Sequence, residues 1–260
     1  MAIIKIVSIL FFLIISLGTG LFSFLVNSKM TGAGFVRLVT GVCAGSLALG
    51  LIVLLTATSS QAILMMGLAS LIVMIMTYKF HKDEKSLFMW ILFFIQNSLL
   101  IALLFFYAKE ITEDGSFIKN FFFILSSALL FGIVNYAMIL GHYYLVVPKL
   151  SEKPLIVSMK ITWIFIFIKL CFSTLATLGA KDFFVEETTL GAGYSFNWIM
   201  LIMRYLWGYA AVGILSYFAW KLSKIRSTQS ATGVMYVMVF FAIVGELISL
   251  YLFQQFGLFI

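Results

Sequence analysis

The sequence predicts an all-α, polytopic integral membrane protein, a helical bundle of about eight transmembrane helices. Hydrophobic residues make up 63% of the 260-residue chain and charged residues only 10%, whereas soluble proteins average about 25% charged residues. Eight apolar segments are each long enough, or nearly so, to cross a bilayer, which takes about 20 residues. Backbone groups in lipid must bond within their own segment, and this favours helices. The composition excludes a water-soluble globule, a disordered chain and a nucleic-acid-binding protein.

The eight spans are predicted at about residues 5–27, 36–58, 61–78, 87–107, 119–147, 155–178, 196–221 and 233–257, in a single transmembrane domain. The first begins like a secretory signal, with Lys5 before an apolar run. That run continues to Val26, so we expect an uncleaved span. Only Thr58, Ser59 and Ser60 separate the second span from the short third one. This spacing predicts a tight helical hairpin, with a re-entrant pair as the alternative.

The charge distribution predicts the orientation of the chain. Its net charge is +7, and basic residues concentrate in cytoplasmic loops of membrane proteins. Four alternate connections carry the basic residues Lys29, Arg37, Lys79, Lys82, Lys85, Lys149, Lys153, Lys221, Lys224 and Arg226. The opposite connections are mainly acidic, with Glu110, Glu113, Asp114, Asp182, Glu186 and Glu187. We therefore predict that both termini lie outside. The expected location is the inner or plasma membrane.

The expected partners are membrane lipids and either other membrane subunits or further copies of the chain.

Three ionisable residues, Lys169, Arg204 and Glu246, stand out deep inside predicted spans. At 1.5 Å of rise per residue they lie roughly 12–16 Å below the outer ends of their helices. Gln96 and Asn97 in the fourth span fall at the same level. Ionisable groups at such depth are costly and indicate a functional site. We predict that these five residues form a ligand- or ion-binding site.

Helical periodicity places the three ionisable residues on small or polar faces. These faces comprise Ser158, Thr162, Lys169, Ser173 and Thr177 in the sixth span, Asn197, Arg204, Gly208 and Ala211 in the seventh, and Ala242, Gly245, Glu246 and Ser249 in the eighth. Two cations against one carboxylate leave one positive charge for a carboxylate, phosphate, lipid headgroup or quinone carbonyl. Two alternatives stay open: a structural pair of Glu246 with Lys169 or Arg204, and outward snorkelling of Arg204 to Glu186 or Glu187.

The histidines and cysteines give little indication of a cofactor or metal. His142 ends the fifth span and His81 lies in a charged connection, so a haem held by both imidazoles is poorly supported. We predict no cofactor and a hydrogen-bonded interface histidine at His142. Haem or a metal at His142, or a bound quinone, is the alternative. Cys43 and Cys171 lie in apolar runs without zinc-binding spacing, which predicts buried free thiols.

Two patterns concern helix packing. Gly41 and Gly45 form a GxxxG motif, which predicts close approach of a neighbouring helix. Residues 43–48 resemble 171–176, and residues 11–16 resemble 121–126. A parallel duplication of four helices would explain these matches, although such matches arise easily in apolar sequence.

No catalytic motif of the HExxH, GxSxG or P-loop type occurs, so an enzyme is not expected. Two function hypotheses remain. The first is a small transporter or channel-like protein in which Lys169 and Arg204 hold an anionic group and Glu246 carries an exchangeable proton. The second is a membrane-embedded subunit of a larger complex, a quinone- or haem-linked redox complex among them.

Overall fold

The computed structural model describes residues 2–26, 31, 33–58, 60–80, 87–112, 117–147 and 150–260. Within these residues, eight helices are long and apolar enough to cross a membrane. They are α1 (Ala2–Leu21), α2 (Ala33–Leu54), α3 (Gln61–Phe80), α4 (Leu87–Glu110), α5 (Phe117–Val146), α6 (Lys153–Gly179), α7 (Tyr194–Lys224) and α8 (Thr228–Phe256). The predicted class, an all-α bundle of eight membrane-spanning helices, is confirmed. Each predicted span coincides with one helix.

The helices form two groups of four, here called the N-terminal half (α1–α4) and the C-terminal half (α5–α8). In each half, successive helices pack on each other and the last helix packs on the first. The two halves meet along α1 and α5, with α8 also on α1 and α4 also on α5. A parallel duplication would produce this pattern of contacts, so the contacts agree with the sequence matches. The duplication itself stays a prediction.

The seam between the halves is a direct contact of two helix backbones. A Cβ atom on Gly18 in α1 would overlap the carbonyl group of Ala128 in α5, and one on Gly132 would overlap the backbone of Gly18. Next to this contact, Asn135 Nδ2 donates a buried hydrogen bond of 2.9 Å to Thr19 Oγ1. Small residues allow such approach between membrane helices, so Gly18 and Gly132 determine how closely the halves dock.

Two packing predictions were wrong in part. Among the described residues, a Cβ on Gly45 would meet no atom within 4 Å, and one on Gly41 would touch only the ring of Tyr78. The GxxxG motif is therefore not the closest helix contact; the backbones meet at glycines outside it. Cys43 is a buried free thiol as predicted, but Cys171 is exposed on the outer face of α6.

Helix α7 changes its winding in the middle. An α-helix over Tyr194–Met203 continues as a π-helix over Arg204–Ala211 and returns to an α-helix over Val212–Lys224. Because a π-helix has more residues in each turn, the buried face shifts along the sequence. After Gly208 and Tyr209 the next buried position is Val212, whereas the predicted Ala211 is only half-buried.

Asn197 organises the connection between α6 and α7 and lies outside the charged site. Its Nδ2 donates to the carbonyls of Phe183 at 2.7 Å and Leu190 at 3.0 Å. Its Oδ1 accepts from the backbone N–H of Ala192 at 3.3 Å. The connection is thereby held against the first turn of α7.

Candidate functional site

Lys169, Arg204 and Glu246, here called the charged triad, meet in the C-terminal half. Lys169 Nζ lies 3.5 Å from Glu246 Oε2, and Arg204 NH2 lies 3.0 Å from Glu246 Oε1. The three residues are only 2%, 0% and 1% exposed. One carboxylate thus bridges two cations from two other helices, and the triad carries one net positive charge when all three groups are ionised.

Arg204 is held inside the bundle, so the alternative in which it snorkels to Glu186 or Glu187 is wrong. The guanidinium carbon lies 4.4 Å from the centroid of the Tyr209 ring. A Cβ on Gly208 would lie 2.8 Å from Arg204 NH1 and 3.3 Å from Gly245 Cα. The guanidinium therefore occupies space that two glycines leave open where α7 crosses α8.

Lys169 links the triad to α5. Its ammonium group donates a short hydrogen bond to Ser127 Oγ and lies 4.7 Å from the centroid of the Phe123 ring. Every helix of the C-terminal half therefore contributes to the site. Sequence reasoning missed Ser127 because a serine in an apolar helix bears no sign of which neighbour it faces.

The guanidinium of Arg204 is only partly satisfied. Among the described residues, its Nε and NH1 atoms have no hydrogen-bond partner although both are buried. An arginine has five N–H donors, and each buried donor left without a partner costs about 1–3 kcal/mol. Unpaired donors beside an excess positive charge are the features of a receptor for an anion with oxygen acceptors.

The face predictions for α6 and α8 are confirmed. Ser158, Thr162, Lys169 and Ser173 are buried in α6, and Ala242, Gly245, Glu246 and Ser249 are buried in α8. Two tyrosines complete the polar surface around the triad, and the sequence analysis missed both. Ser173 Oγ lies 2.5 Å from Tyr209 OH, and Thr177 Oγ1 lies 3.3 Å from Tyr205 OH. Tyr205 and Tyr209 lie one and five residues after Arg204 in the sequence, and this proximity was the signal that could have identified them.

Gln96 and Asn97, predicted to join the site, lie in the N-terminal half. A Cβ on Gly20 would lie 3.7 Å from Gln96 Nε2 and from Asn97 Oδ1, and 3.6 Å from Cys43 Sγ. In the described part of the chain, no hydrogen bond or ion pair connects these amides to the charged triad. Helix α4 packs on α1, α3 and α5, so equal depth did not bring the amides to the triad.

His142 is exposed at the end of α5, and its Nδ1 lies 2.6 Å from Tyr236 OH. The hydrogen bond predicted for it is confirmed, while its place at the membrane interface and haem or metal binding there stay predictions. The other histidine, His81, lies outside the described residues. Across the described ranges, no three His, Cys, Asp or Glu side chains come together as a metal site would require.

No protein-family model matches the chain, and neither a curated protein nor a solved structure does. The function is therefore argued from the charged triad and its surroundings.

Proposed function

We propose that the protein is a small transporter that carries an anion across the membrane together with a proton, with the charged triad as its binding site. The observation that carries the proposal is a buried site that sets two basic side chains against one carboxylate and leaves guanidinium donors unpaired among the described residues. A structural ion pair needs neither feature, because one cation per carboxylate would suffice.

The expected substrate is a small carboxylate or an anion of similar oxygen chemistry. The planar fork of Arg204 matches two oxygens of a carboxylate or phosphate. Lys169 adds a point charge from the opposite side of Glu246. A buried ion without a counterion costs several kcal/mol, so a substrate that displaces the Glu246 carboxylate must bring a negative charge of its own to compensate Lys169 and Arg204.

Glu246 provides the coupling to protons, because it competes with the substrate for the same two cations. In the empty site, Lys169 and Arg204 are positive and Glu246 is negative, which gives a net charge of +1. If an anion displaces the carboxylate and Glu246 takes up a proton, the net charge is again +1. One anion and one proton then enter together without a change in the charge of the site.

The test is uptake of labelled small anions into proteoliposomes with an imposed pH gradient, with internal pH followed by a dye. The substitution Glu246→Gln should abolish proton-driven uptake, while exchange of anion for anion continues. Glu187→Gln, an exposed glutamate in the α6–α7 connection, is the matched control and should transport normally. Proton-driven uptake that is unchanged in Glu246→Gln would refute the coupling role.

The second hypothesis, a membrane-embedded subunit of a redox or other complex, has no geometric feature of its own in the described residues. It predicts instead that the gently solubilised chain elutes with stoichiometric partners and that the isolated chain shows no anion flux. That result would overturn the transporter proposal. A reduction-sensitive haem spectrum of the purified protein would do the same.

A further inference from the structure

From the surroundings of the triad we infer that the site is reached from one end of the bundle only. This is the end that carries the α6–α7 connection, here called the connection end. The route is the seam between α6 and α7, where Ser173 and Tyr209 are the last groups before the triad. The use of such a route rests on the proposed function, because it would admit the anion. The geometry of the route and its test do not depend on transport.

Hydroxyl groups follow this seam from the surface to the triad. At the connection end, Tyr205 OH lies 3.3 Å from Thr177 Oγ1 and donates to Thr174 Oγ1 at 3.3 Å. One helical turn deeper, about 6 Å, Ser173 Oγ and Tyr209 OH lie 2.5 Å apart.

Exposure falls along the same direction. Thr177 and Tyr205 are half-buried, whereas Ser173 and Tyr209 are only 1% and 3% exposed. The ring of Tyr209 then meets the guanidinium of Arg204. Polar groups on two helices thus lead from the surface to the site.

A small apolar cluster lies at the connection end of α7 and α8. Its buried members are Leu201, Ile248, Leu252, Leu258 and Ile260. Tyr205, whose hydroxyl belongs to the hydroxyl series, packs against this cluster.

Toward the opposite end of the bundle the hydroxyl series is interrupted. The next polar residue of the α6 face is Thr162, seven residues or about 10 Å from Lys169. Its hydroxyl donates to the carbonyl of Ser158 on its own helix at 2.9 Å. The space between is apolar, with Val212 only 1% exposed and Ile166 Cδ1 4.0 Å from a Cβ placed on Gly213.

A pair of tryptophans closes this opposite side. Trp163 Nε1 donates to Ser216 Oγ at 2.7 Å, and its ring lies 5.5 Å from that of Trp220, centroid to centroid. Lys224 Nζ lies 3.7 Å from the centroid of the Trp220 ring. The seam thus carries a series of hydroxyl groups toward the connection end and mainly apolar and aromatic side chains toward the opposite end.

The experiment is cysteine labelling in membrane vesicles of known sidedness, with the native cysteines replaced by Cys43→Ala and Cys171→Ala. Ser173→Cys and Thr177→Cys probe the route, and Ser158→Cys and Thr162→Cys are matched controls on the same face of α6. Leu190→Cys and Ile225→Cys, which are exposed in the two connections of α7, report the two sides. The reagents are an anionic and a cationic membrane-impermeant methanethiosulfonate.

We expect Thr177→Cys and Ser173→Cys to react from the same side as Leu190→Cys. Their rates should exceed those of Ser158→Cys and Thr162→Cys by about tenfold or more, because labelling follows access of the reagent to the thiolate. At Ser173→Cys the anionic reagent should react several-fold faster than the cationic one, as expected beside an excess positive charge.

Three results would overturn the inference: no reaction at either route position, equal rates at the route positions and at Ser158→Cys and Thr162→Cys, or reaction from the Ile225→Cys side. Because labelling needs no substrate, the outcomes separate the two proposals. Labelling as expected without anion flux would support the access route and refute the transporter proposal. Coupled flux that depends on Glu246, with no labelling at the route positions, would support the transporter and refute the access route.

Discussion

The two halves of the bundle have the same helix contacts but differ in their buried polar groups. In the N-terminal half these groups are neutral, and several bond within their own helix. Ser70 Oγ donates to the carbonyl of Met66 at 2.9 Å, and Asn97 Nδ2 donates to that of Phe93 at 2.8 Å. In the C-terminal half, Glu246 instead joins cations from α6 and α7.

This difference indicates a division of roles. A hydroxyl or amide that bonds to its own helix needs no partner on another helix, so neutral residues tolerate many packings. A buried charge must find a specific counterion, so the triad constrains α6, α7 and α8 relative to each other. We therefore expect the N-terminal half to act as a scaffold and the C-terminal half to carry the chemistry.

The largest expected effect is the removal of the shared carboxylate. Glu246→Leu leaves Lys169 and Arg204 buried without a counterion, which should lower the free energy of unfolding by about 3–5 kcal/mol. The measurement is denaturant- or heat-induced unfolding in detergent. A variant as stable as the wild type would show that the triad is not a closed electrostatic unit.

The matched variant removes all three charges and makes the two halves alike. The combination Lys169→Met, Arg204→Leu and Glu246→Leu should be neutral or stabilising by about 1–4 kcal/mol, because no desolvated ion remains. Anion flux should be lost nonetheless. A stable, inactive triple variant would separate the functional role of the triad from a structural one.

The next effect tests the seam between the halves. Gly132→Ala places a Cβ against the backbone of Gly18, which cannot rotate away, and should cost about 1–3 kcal/mol. Gly45→Ala is the control, because its Cβ would meet no atom within 4 Å, and it should be neutral or slightly stabilising. Equal stability of the two variants would contradict the close docking of α1 on α5.

A smaller effect on stability, but a clear one on activity, is expected at the crossing of α7 and α8. Gly208→Ala puts a Cβ 2.8 Å from Arg204 NH1, so the guanidinium must shift. Misplacement of a binding group by about 1 Å can cost a hundredfold, and we expect anion uptake to fall by about tenfold or more. Gly213→Ala in the same helix, where a Cβ would meet only Ile166 at 4.0 Å, should keep normal uptake.

The smallest effects should come from the amides of the N-terminal half. Gln96 Oε1 and Asn97 Oδ1 have no hydrogen-bond partner among the described residues, so an apolar replacement removes a buried unpaired oxygen. At Asn97 it also removes the bond of Nδ2 to the Phe93 carbonyl of its own helix, which offsets part of that gain. Gln96→Leu and Asn97→Leu should therefore change the free energy of unfolding by less than about 1 kcal/mol, with unchanged anion uptake. Loss of uptake in either variant would place the amides in the site after all.

The sequence by itself determined the class of the protein, its eight spans and the presence of three costly charges. Hydropathy and segment length are properties of each stretch of chain, and bilayer thickness converts them directly into helices. The inward faces of α6 and α8 also followed from helical periodicity, because a polar face avoids lipid. The orientation rests on loop charges alone and stays a prediction.

Only the tertiary structure decided which of these groups meet. It brought Glu246 between Lys169 and Arg204 but left Gln96 and Asn97 in the other half, because equal depth does not determine which helices are neighbours. The π-helix over Arg204–Ala211, which buries Arg204 and Tyr209, also appears only in the folded chain. In lipid, apolar side chains provide no preference for one neighbouring helix over another, so the pairing of helices follows from glycine contacts and ion pairs that appear only in the folded chain.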